Sequence, residues 1–312
     1  MGGEGVSNLV DTERIAPETA EGIVEAYERG EYESIRIRDL VAFRNAERVG
    51  TTASVEILNR IGSHCPERGA DVADLFDATD PDVRAGAISL WSAGQEAFPA
   101  ETRERALRAA ARQLLERDDP NTNEEVYRVI ENEIDDGVVS REAHSEVVAG
   151  LLAATDPAES PYAAGWGGAS GVETLWKVLE ARTPDDADAV VAHLEALLAG
   201  YDESDYRIRG ENVQPDQPSV ELRAYAALGL ISMNAGAARA EEVLPALRRA
   251  LEDDVLSYSG SVAACEGLGT IYERAESDSG TDAAAETLRR LAAEHRSDGV
   301  RAAAESALAG AQ

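Results

Sequence analysis

The chain of 312 residues has few of the residues on which several classes of fold and site depend. It has 2 cysteines, Cys65 and Cys265, far apart and too few for a disulfide framework. No apolar run approaches the ~20 residues that a membrane-spanning helix needs. The N-terminus lacks the basic and apolar segments of a signal peptide, and Val6 stands where a myristoylation signal has serine or threonine. We therefore expect a cytoplasmic protein with no membrane partner.

Lysine and aromatic residues are also scarce, whereas acidic residues are abundant. Lys177 is the single lysine among 29 basic residues, against 60 acidic ones, and the net charge is −31. This dispersed acidity is similar to that of proteins from halophiles, apparently an archaeon here, whose molar salt screens repulsion to within about 3 Å. The charge could alternatively mimic nucleic acid or attract a basic protein, although a mimic would be expected to concentrate it.

Sequence motifs of catalysis are also missing. The chain contains no GxSxG, HExxH or CxxC. A glycine-rich stretch fits neither the dinucleotide-binding fingerprint nor the P-loop, and we interpret it as a flexible turn. Its members are Gly165, Gly167, Gly168 and Gly171. We expect no cofactor, no metal and no catalytic residue, while an enzymatic activity stays open.

Histidine and cysteine offer one chemical alternative. His64 and Cys65 are adjacent, which leaves open a metal site or a Cys–His nucleophile pair. His144, His193 and His295 lie far off in sequence. His193 borders an apolar stripe and is predicted to pack. Cys265 lies among small residues, which is typical of a core thiol.

One acidic run is placed against the helix dipole. Glu252, Asp253 and Asp254 end a predicted helix, where negative charge is disfavoured. The run could mark a cation or a basic partner, but an acidic solvated surface is the simpler interpretation.

Apolar periodicity predicts an all-α fold, an α-solenoid of about six stacked antiparallel helix pairs preceded by N-terminal helices. First helices are predicted at 66–76, 101–117, 141–154, 186–199, 239–252 and 282–294. Second helices are predicted at 82–97, 122–135, 170–182, 219–234, 260–275 and 298–310. Because a two-helix unit cannot bury both of its faces alone, it needs copies of itself on either side.

Upstream of the pairs, three regions are distinguished. Residues 1–16 are predicted to be a flexible lead. Residues 17–65 are predicted to be helices that cap the array, which then covers 66–312. These helices are expected at Pro17–Arg29, Leu40–Glu47 and Thr52–Ile61, and Tyr32–Asp39 is expected to be a short extended link.

Three second helices share a sequence pattern. They read DPDVRAGAISL from Asp80, ELRAYAALGLI from Glu221 and SDGVRAAAESALAG from Ser297. Each places an arginine after an apolar residue, at Arg84, Arg223 and Arg301. The pattern resembles the HEAT repeat family, which implies a right-handed stack that presents its second helices on a concave side and holds other macromolecules. The repeats anchored at Val126, Val172 and Val262 depart from it, with Glu173 in the arginine position of the second.

Two long connections are the less regular feature of the array. They run over Thr155–Ser170 and Gly200–Pro218, and we expect them to lie side by side with the turn Leu256–Ser259. Exposed aromatic residues with arginine are typical of interaction hot spots. The candidate partner-binding residues are Tyr162, Trp166, Tyr201, Tyr206, Arg207, Arg209 and Tyr258, and Asn212 lies in the second of the two connections. The alternative is that they fold back over the ends of neighbouring helices.

The leading functional hypothesis is a non-catalytic HEAT-repeat scaffold with a protein partner. The alternatives are a HEAT-like enzyme of the lyase or DNA glycosylase type and a nucleic-acid-binding solenoid. A nucleic-acid binder would need its second-helix cations on one face. Those cations are Arg84, Arg128, Lys177, Arg182, Arg223 and Arg301, and they could be interrupted by Glu131, Glu133, Glu180 and Glu266. We expect no nucleic-acid partner.

Overall fold

A computed structural model describes the chain over residues 6–116, 120–135, 139–156, 163, 166–199, 217–235, 240–274 and 278–310. Over these residues the backbone forms fifteen α-helices and no β-strand. They are α1 Pro17–Arg29, α2 Ile37–Ala46, α3 Ala53–His64, α4 Gly69–Asp74, α5 Pro81–Gly94, α6 Ala100–Glu116, α7 Pro120–Asp135, α8 Arg141–Thr155, α9 Trp166–Ala181, α10 Ala187–Ala199, α11 Gln217–Ser232, α12 Ala240–Asp253, α13 Tyr258–Arg274, α14 Asp278–Glu294 and α15 Asp298–Gly310. No helix in the described ranges is both long enough and apolar enough to cross a bilayer.

The predicted all-α class is confirmed, and each of the twelve predicted repeat helices has a counterpart. First and second helices pack together in the pairs α6–α7, α10–α11, α12–α13 and α14–α15. Second helices also pack on one another, as α5 on α7, α9 on α11 and α13 on α15. Helix pairs that stack through their second helices are the arrangement of a helical solenoid. The chain divides into two compact units, Met1–Gly150 and Leu151–Gln312.

The first unit has an aromatic core. Trp91 in α5 is fully buried, stacks on Phe98 at a centroid distance of 4.9 Å and meets the edge of Phe76 at 6.4 Å. Arg103 of α6 and Glu133 of α7 form a buried ion pair, with one nitrogen–oxygen distance of 2.9 Å. A buried charge needs such a partner, so this pair fixes how α6 faces α7.

Residues 6–16, predicted to be part of a flexible lead, make defined contacts with the first unit. Residues 1–5 lie outside the described residues, but Val10 is fully buried and forms an isolated bridge with Glu47. The Asp11 amide donates to the Ala46 carbonyl at 2.7 Å, at the end of α2. Residues 6–16 are therefore held on the first unit by apolar burial and backbone hydrogen bonds.

Two local predictions were wrong. Helix α2 begins at Ile37, and Tyr32–Ser34 forms a 3-10 turn rather than an extended link, because Ile35 and Ile37 are both buried against the unit. The glycine-rich stretch is the start of α9 and not a flexible turn, although Gly165 lies outside the described residues. A Cβ at Gly168 would lie 1.6 Å from the Ala163 carbonyl oxygen, so only glycine permits this approach.

The second unit is built around α11. Its residues Leu222, Tyr225, Leu228 and Leu230 are buried on all sides of the helix, because α9, α10, α12 and α13 pack around it. A helix that is apolar all round belongs inside a protein rather than on its surface. Any polar side chain on α11 is therefore held close to the side chains of its neighbours.

Candidate functional site

The three pattern arginines hold helix ends in place. Arg84 donates to the Ala78 carbonyl at 3.0 Å, Arg223 to Leu198 at 2.8 Å and Arg301 to His295 at 2.6 Å. Leu198 lies in the last turn of α10 and His295 directly follows α14, whereas Ala78 follows the 3-10 turn Leu75–Asp77 that comes after α4. The last carbonyls of a helix have no partner within the helix. Arg223 and Arg301 thus join α11 and α15 to the ends of α10 and α14, and Arg84 joins α5 to the turn after α4.

The other second-helix cations divide between paired and exposed ones. Arg128 pairs with Glu125 at 3.0 Å, and Lys177 pairs with Glu173 at 3.5 Å. Arg182 is exposed at the end of α9. Arg128 and Lys177 therefore already have carboxylate partners on their own helices.

The predicted loop site lies mostly outside the described residues. Tyr162, Tyr201, Tyr206, Arg207, Arg209 and Asn212 are outside them, and Trp166 opens α9 with a side chain that is not described. Tyr258 is described, opens α13 and is 65% exposed. A Cβ at Gly299 would meet the Tyr258 hydroxyl at 2.1 Å, so the ring lies over the start of α15. The grouping of these aromatic residues stays a prediction.

The adjacent histidine and cysteine do not form a reactive pair. His64 contacts the ring of Tyr32 at a centroid distance of 4.7 Å, and its Nδ1 lies 2.9 Å from the Arg60 carbonyl oxygen. Burial raises the pKa of the Cys65 thiol, with help from the charge of Glu33, which favours the unreactive thiol. No group of three or more histidine, cysteine or acidic side chains in the described ranges could hold a metal ion.

The remaining histidines and the second cysteine have packing roles. His193 is half-buried, with Nε2 2.9 Å from Thr155 Oγ1, and burial lowers its pKa. His144 is buried, and His295 Nδ1 accepts a hydrogen bond from the Ser297 amide at 3.1 Å. Burial raises the pKa of Cys265 to about 12, so this residue is a core thiol as expected.

The acidic run at the end of α12 is neutralised from within the chain. Glu252 binds Arg248 at 2.9 Å and also Arg290, which lowers the pKa of Glu252. Asp253 pairs with Arg249 at 3.5 Å, and Asp254 pairs with Arg296. Because four arginines already pair with these three carboxylates, neither a cation nor a partner is needed to explain the run.

A polar cluster that sequence reasoning missed lies where α9, α11 and the start of α13 meet. Ser257 is its centre. Tyr225 donates its hydroxyl proton to Ser257 Oγ at 3.0 Å, and Ser257 Oγ donates to Glu173 Oε1 at 2.9 Å. The Gly260 amide also donates to Ser257 Oγ, at 3.2 Å, so the serine caps α13. Lys177, one turn along α9, lies 3.5 Å from the same Glu173 oxygen.

Glu221 is the unusual member of this cluster. Burial, with the nearby charge of Glu173, raises its pKa to about 7. Its Oε2 is buried and receives no hydrogen bond from any described residue. Tyr225 below it stacks on Trp176 at a centroid distance of 5.8 Å, and burial raises the pKa of the Tyr225 hydroxyl. The carboxyl of Glu221 is thus partly buried and is acted on by the charge of a second carboxylate, Glu173.

A second carboxylate pair continues the same surface. Glu180 on α9 and Glu266 on α13 are both exposed. Partial loss of hydration and the charge of Glu266 raise the pKa of Glu180. Glu173 of α9 thus accepts a hydrogen bond from Ser257, the residue before α13, and Glu180 of α9 is affected by the charge of Glu266 on α13. We call the surface formed by Glu173, Lys177, Glu180, Glu221 and Glu266 the acidic face.

The sequence contained a partial signal for this face. Glu173 occupies the position at which three other second helices have arginine, and this departure was visible in the alignment of the repeats. Ser257 and Glu173 are 84 positions apart, so their contact follows only from how α9, α11 and α13 pack. Glu221 was read as part of the repeat pattern and not as a titrating group.

Comparisons with known proteins show no family for this chain. No protein-family model matches it, and no curated protein matches it either. One similar solved structure is an engineered protein from the Northeast Structural Genomics Consortium, with a TM-score of 0.47 and 19% identity over 78% of this chain and 98% of that chain. A second engineered protein from the same consortium has a TM-score of 0.37 and 17% identity, over 93% and 95% of the two chains. Similarity at this level carries no argument about function.

Proposed function

We propose that the protein is a non-catalytic helical-repeat scaffold of a high-salt cytoplasm, and that its acidic face binds a basic segment of a partner protein. The observation that carries this proposal is the convergence of acidic side chains from different helices. The charge of Glu173 on α9 acts on Glu221 of α11, the charge of Glu266 on α13 acts on Glu180 of α9, and Lys177 pairs with Glu173. Arginine or lysine side chains of a partner would complement it.

Binding of this kind is compatible with high salt. Screening removes most of the attraction between exposed charges that are more than a Debye length apart. It acts much less on partly buried groups that make direct hydrogen-bonded contacts. Glu173 is partly buried, so salt weakens its interaction with a cationic side chain less than it weakens that of an exposed carboxylate.

The nucleic-acid alternative has less support. Phosphate binding uses several lysine or arginine side chains with free donors. Arg84, Arg223 and Arg301 instead donate to backbone carbonyls, and Lys177 pairs with Glu173.

The proposal is tested by reversing charge on the acidic face. The double variant Glu180→Lys/Glu266→Lys alters two exposed residues and leaves the hydrogen-bonded cluster intact. The matched control Glu242→Lys/Glu294→Lys makes the same charge change on exposed residues of the first helices α12 and α14. Each immobilised protein is incubated with lysate in molar KCl, and bound proteins are quantified by mass spectrometry.

We expect a partner with a basic segment to bind the wild type and the control, and to bind the acidic-face variant at least about tenfold less, since each factor of ten is about 1.4 kcal/mol. Circular dichroism checks that all three proteins are folded. Equal recovery by the two double variants would reject the acidic face as the binding surface.

A further inference from the structure

Two carboxylates of the second unit differ in how they are stabilised. Glu173 accepts a hydrogen bond from Ser257 and pairs with Lys177. Glu221 has a buried oxygen that receives no hydrogen bond from the described residues. An ionised carboxylate without donors is costly to keep away from water, whereas a protonated one is much less so.

The surroundings of Glu221 set its ionisation. Helices α9, α10, α12 and α13 pack against α11. The charge of Glu173 on α9 acts on Glu221, and Lys177 pairs with Glu173 at 3.5 Å. Arg223 on α11 donates to the Leu198 carbonyl. Burial and a like charge therefore both favour the protonated form, with a pKa of about 7.

We propose that Glu221 and Glu173 form a proton-dependent latch, which holds α9, α11 and the start of α13 together while Glu221 is protonated and loosens when Glu221 ionises. The latch is distinct from the partner-binding proposal and does not rest on it. Its mechanical link is the hydrogen-bonded chain Tyr225–Ser257–Glu173, which joins the three elements at 3.0 and 2.9 Å.

Ionisation of Glu221 places a second negative charge beside Glu173 in a region with little water. The repulsion falls if α9 and α11 separate or if Glu173 turns away from Glu221, and either movement strains the bond from Ser257 to Glu173. Trp176, which stacks on Tyr225, lies at the same contact between α9 and α11 and reports on it.

The latch is tested by ¹⁹F NMR of the full chain labelled with 5-fluorotryptophan. The chain has 3 tryptophans, and a Trp176→Phe variant assigns the signal of Trp176. In the wild type we expect that signal to shift with a midpoint near pH 7. In Glu221→Gln, which keeps the shape of the side chain and cannot ionise, we expect no shift between pH 6 and 8.

Glu173→Gln provides a second variant. It removes the like charge but not the burial, so the Trp176 midpoint should move to lower pH without vanishing. A shift near pH 7 that persists in Glu221→Gln, or a wild-type signal that does not change, would overturn the proposal. If Glu221→Gln does not fold, an unchanged midpoint in Glu173→Gln overturns it.

Thermal melts give an independent readout. Glu221 binds its proton more tightly in the folded state than in the unfolded state, so stability should fall as the pH rises from about 4.5 to about 7. The Tm of wild type should therefore drop relative to that of Glu221→Gln across this window. If the Tm of the two proteins changed equally with pH across this window, the result would contradict the latch.

Discussion

The ends of the first helices are stabilised by single arginine side chains. The last four carbonyls of an α-helix have no partner within the helix, and the dipole makes that end negative. Arg223 supplies a charged donor to the Leu198 carbonyl at the end of α10, and Arg301 does the same for the His295 carbonyl directly after α14. Arg84 donates to Ala78, which follows the 3-10 turn after α4. A cation at the end of a helix donates a hydrogen bond to a carbonyl that has no helical partner, and its positive charge interacts favourably with the negative end of the helix dipole.

Replacement of Arg223 by methionine should therefore destabilise the protein by about 1.5–3 kcal/mol, the range for hydrogen bonds to charged groups. Methionine keeps an unbranched apolar stem and removes the donors. Chemical denaturation in molar KCl measures the change. Arg182→Met is the matched control, because no hydrogen bond joins the exposed Arg182 side chain to a described residue. A loss in Arg223→Met no larger than in the control would show that the carbonyl bond contributes nothing.

At this scale sequence reasoning found the positions but not their roles. The repeat pattern identified Arg84, Arg223 and Arg301, and left open whether they point to a ligand or into the fold. Spacing along a helix fixes the face on which a side chain lies. Which carbonyl it meets depends on the neighbouring helix, and therefore on tertiary packing.

Among the helices, α12 is exceptional because it contains a proline in its interior. Pro245 is the sixth residue of Ala240–Asp253, is exposed, and cannot donate to the carbonyl of Glu241. Val243, Leu247, Ala250 and Leu251 of this helix are buried. Their burial, summed over the helix, outweighs the missing hydrogen bond, because each buried aliphatic side chain contributes roughly 1.5–3 kcal/mol.

Pro245→Ala should raise the free energy of unfolding by about 1–3 kcal/mol, since it restores one helical hydrogen bond and relieves a clash with the preceding turn. Chemical denaturation again measures it. Pro17→Ala is the control, because Pro17 occupies the first position of α1, where no helical hydrogen bond is lost. A destabilised Pro245→Ala protein would mean that α12 needs the bend or rigidity of proline.

Element positions were largely predictable from periodicity alone. The repeat helices were placed correctly because a buried stripe recurs at helical spacing in each. The errors fell where that signal is ambiguous. Ile35 and Ile37 alternate with polar residues as in a strand, but Ile35 follows a 3-10 turn and Ile37 begins a helix. The glycines at the start of α9 resemble a loop sequence, although Gly168 is needed there because the backbone of Ala163 approaches it closely.

For the whole molecule, the net charge of −31 conceals a local pattern. Many acidic side chains form ion pairs with arginine, as Glu252 and Asp253 do. On the acidic face, four carboxylates come from three helices, and Lys177 pairs with one of them, Glu173. No composition or motif could predict this face, because Glu173 and Ser257 are 84 positions apart and meet only in the folded unit.

Lys177 also makes the central claim directly measurable. It is the only lysine of the chain, is 25% exposed at its side chain and lies on the acidic face. An amine-reactive photo-crosslinker therefore labels the wild type at Lys177 and at the N-terminal amine. The variant Lys177→Arg keeps the positive charge, and in this variant the crosslinker can react with the N-terminal amine but not at position 177. Both proteins are crosslinked in lysate at molar KCl, and the attached peptides are sequenced by mass spectrometry.

Our account predicts that one partner is joined to Lys177 of the wild type through a peptide rich in arginine or lysine, and that its yield falls at least about tenfold in Lys177→Arg. A yield that does not change in the variant would contradict it, as would attached peptides without basic residues.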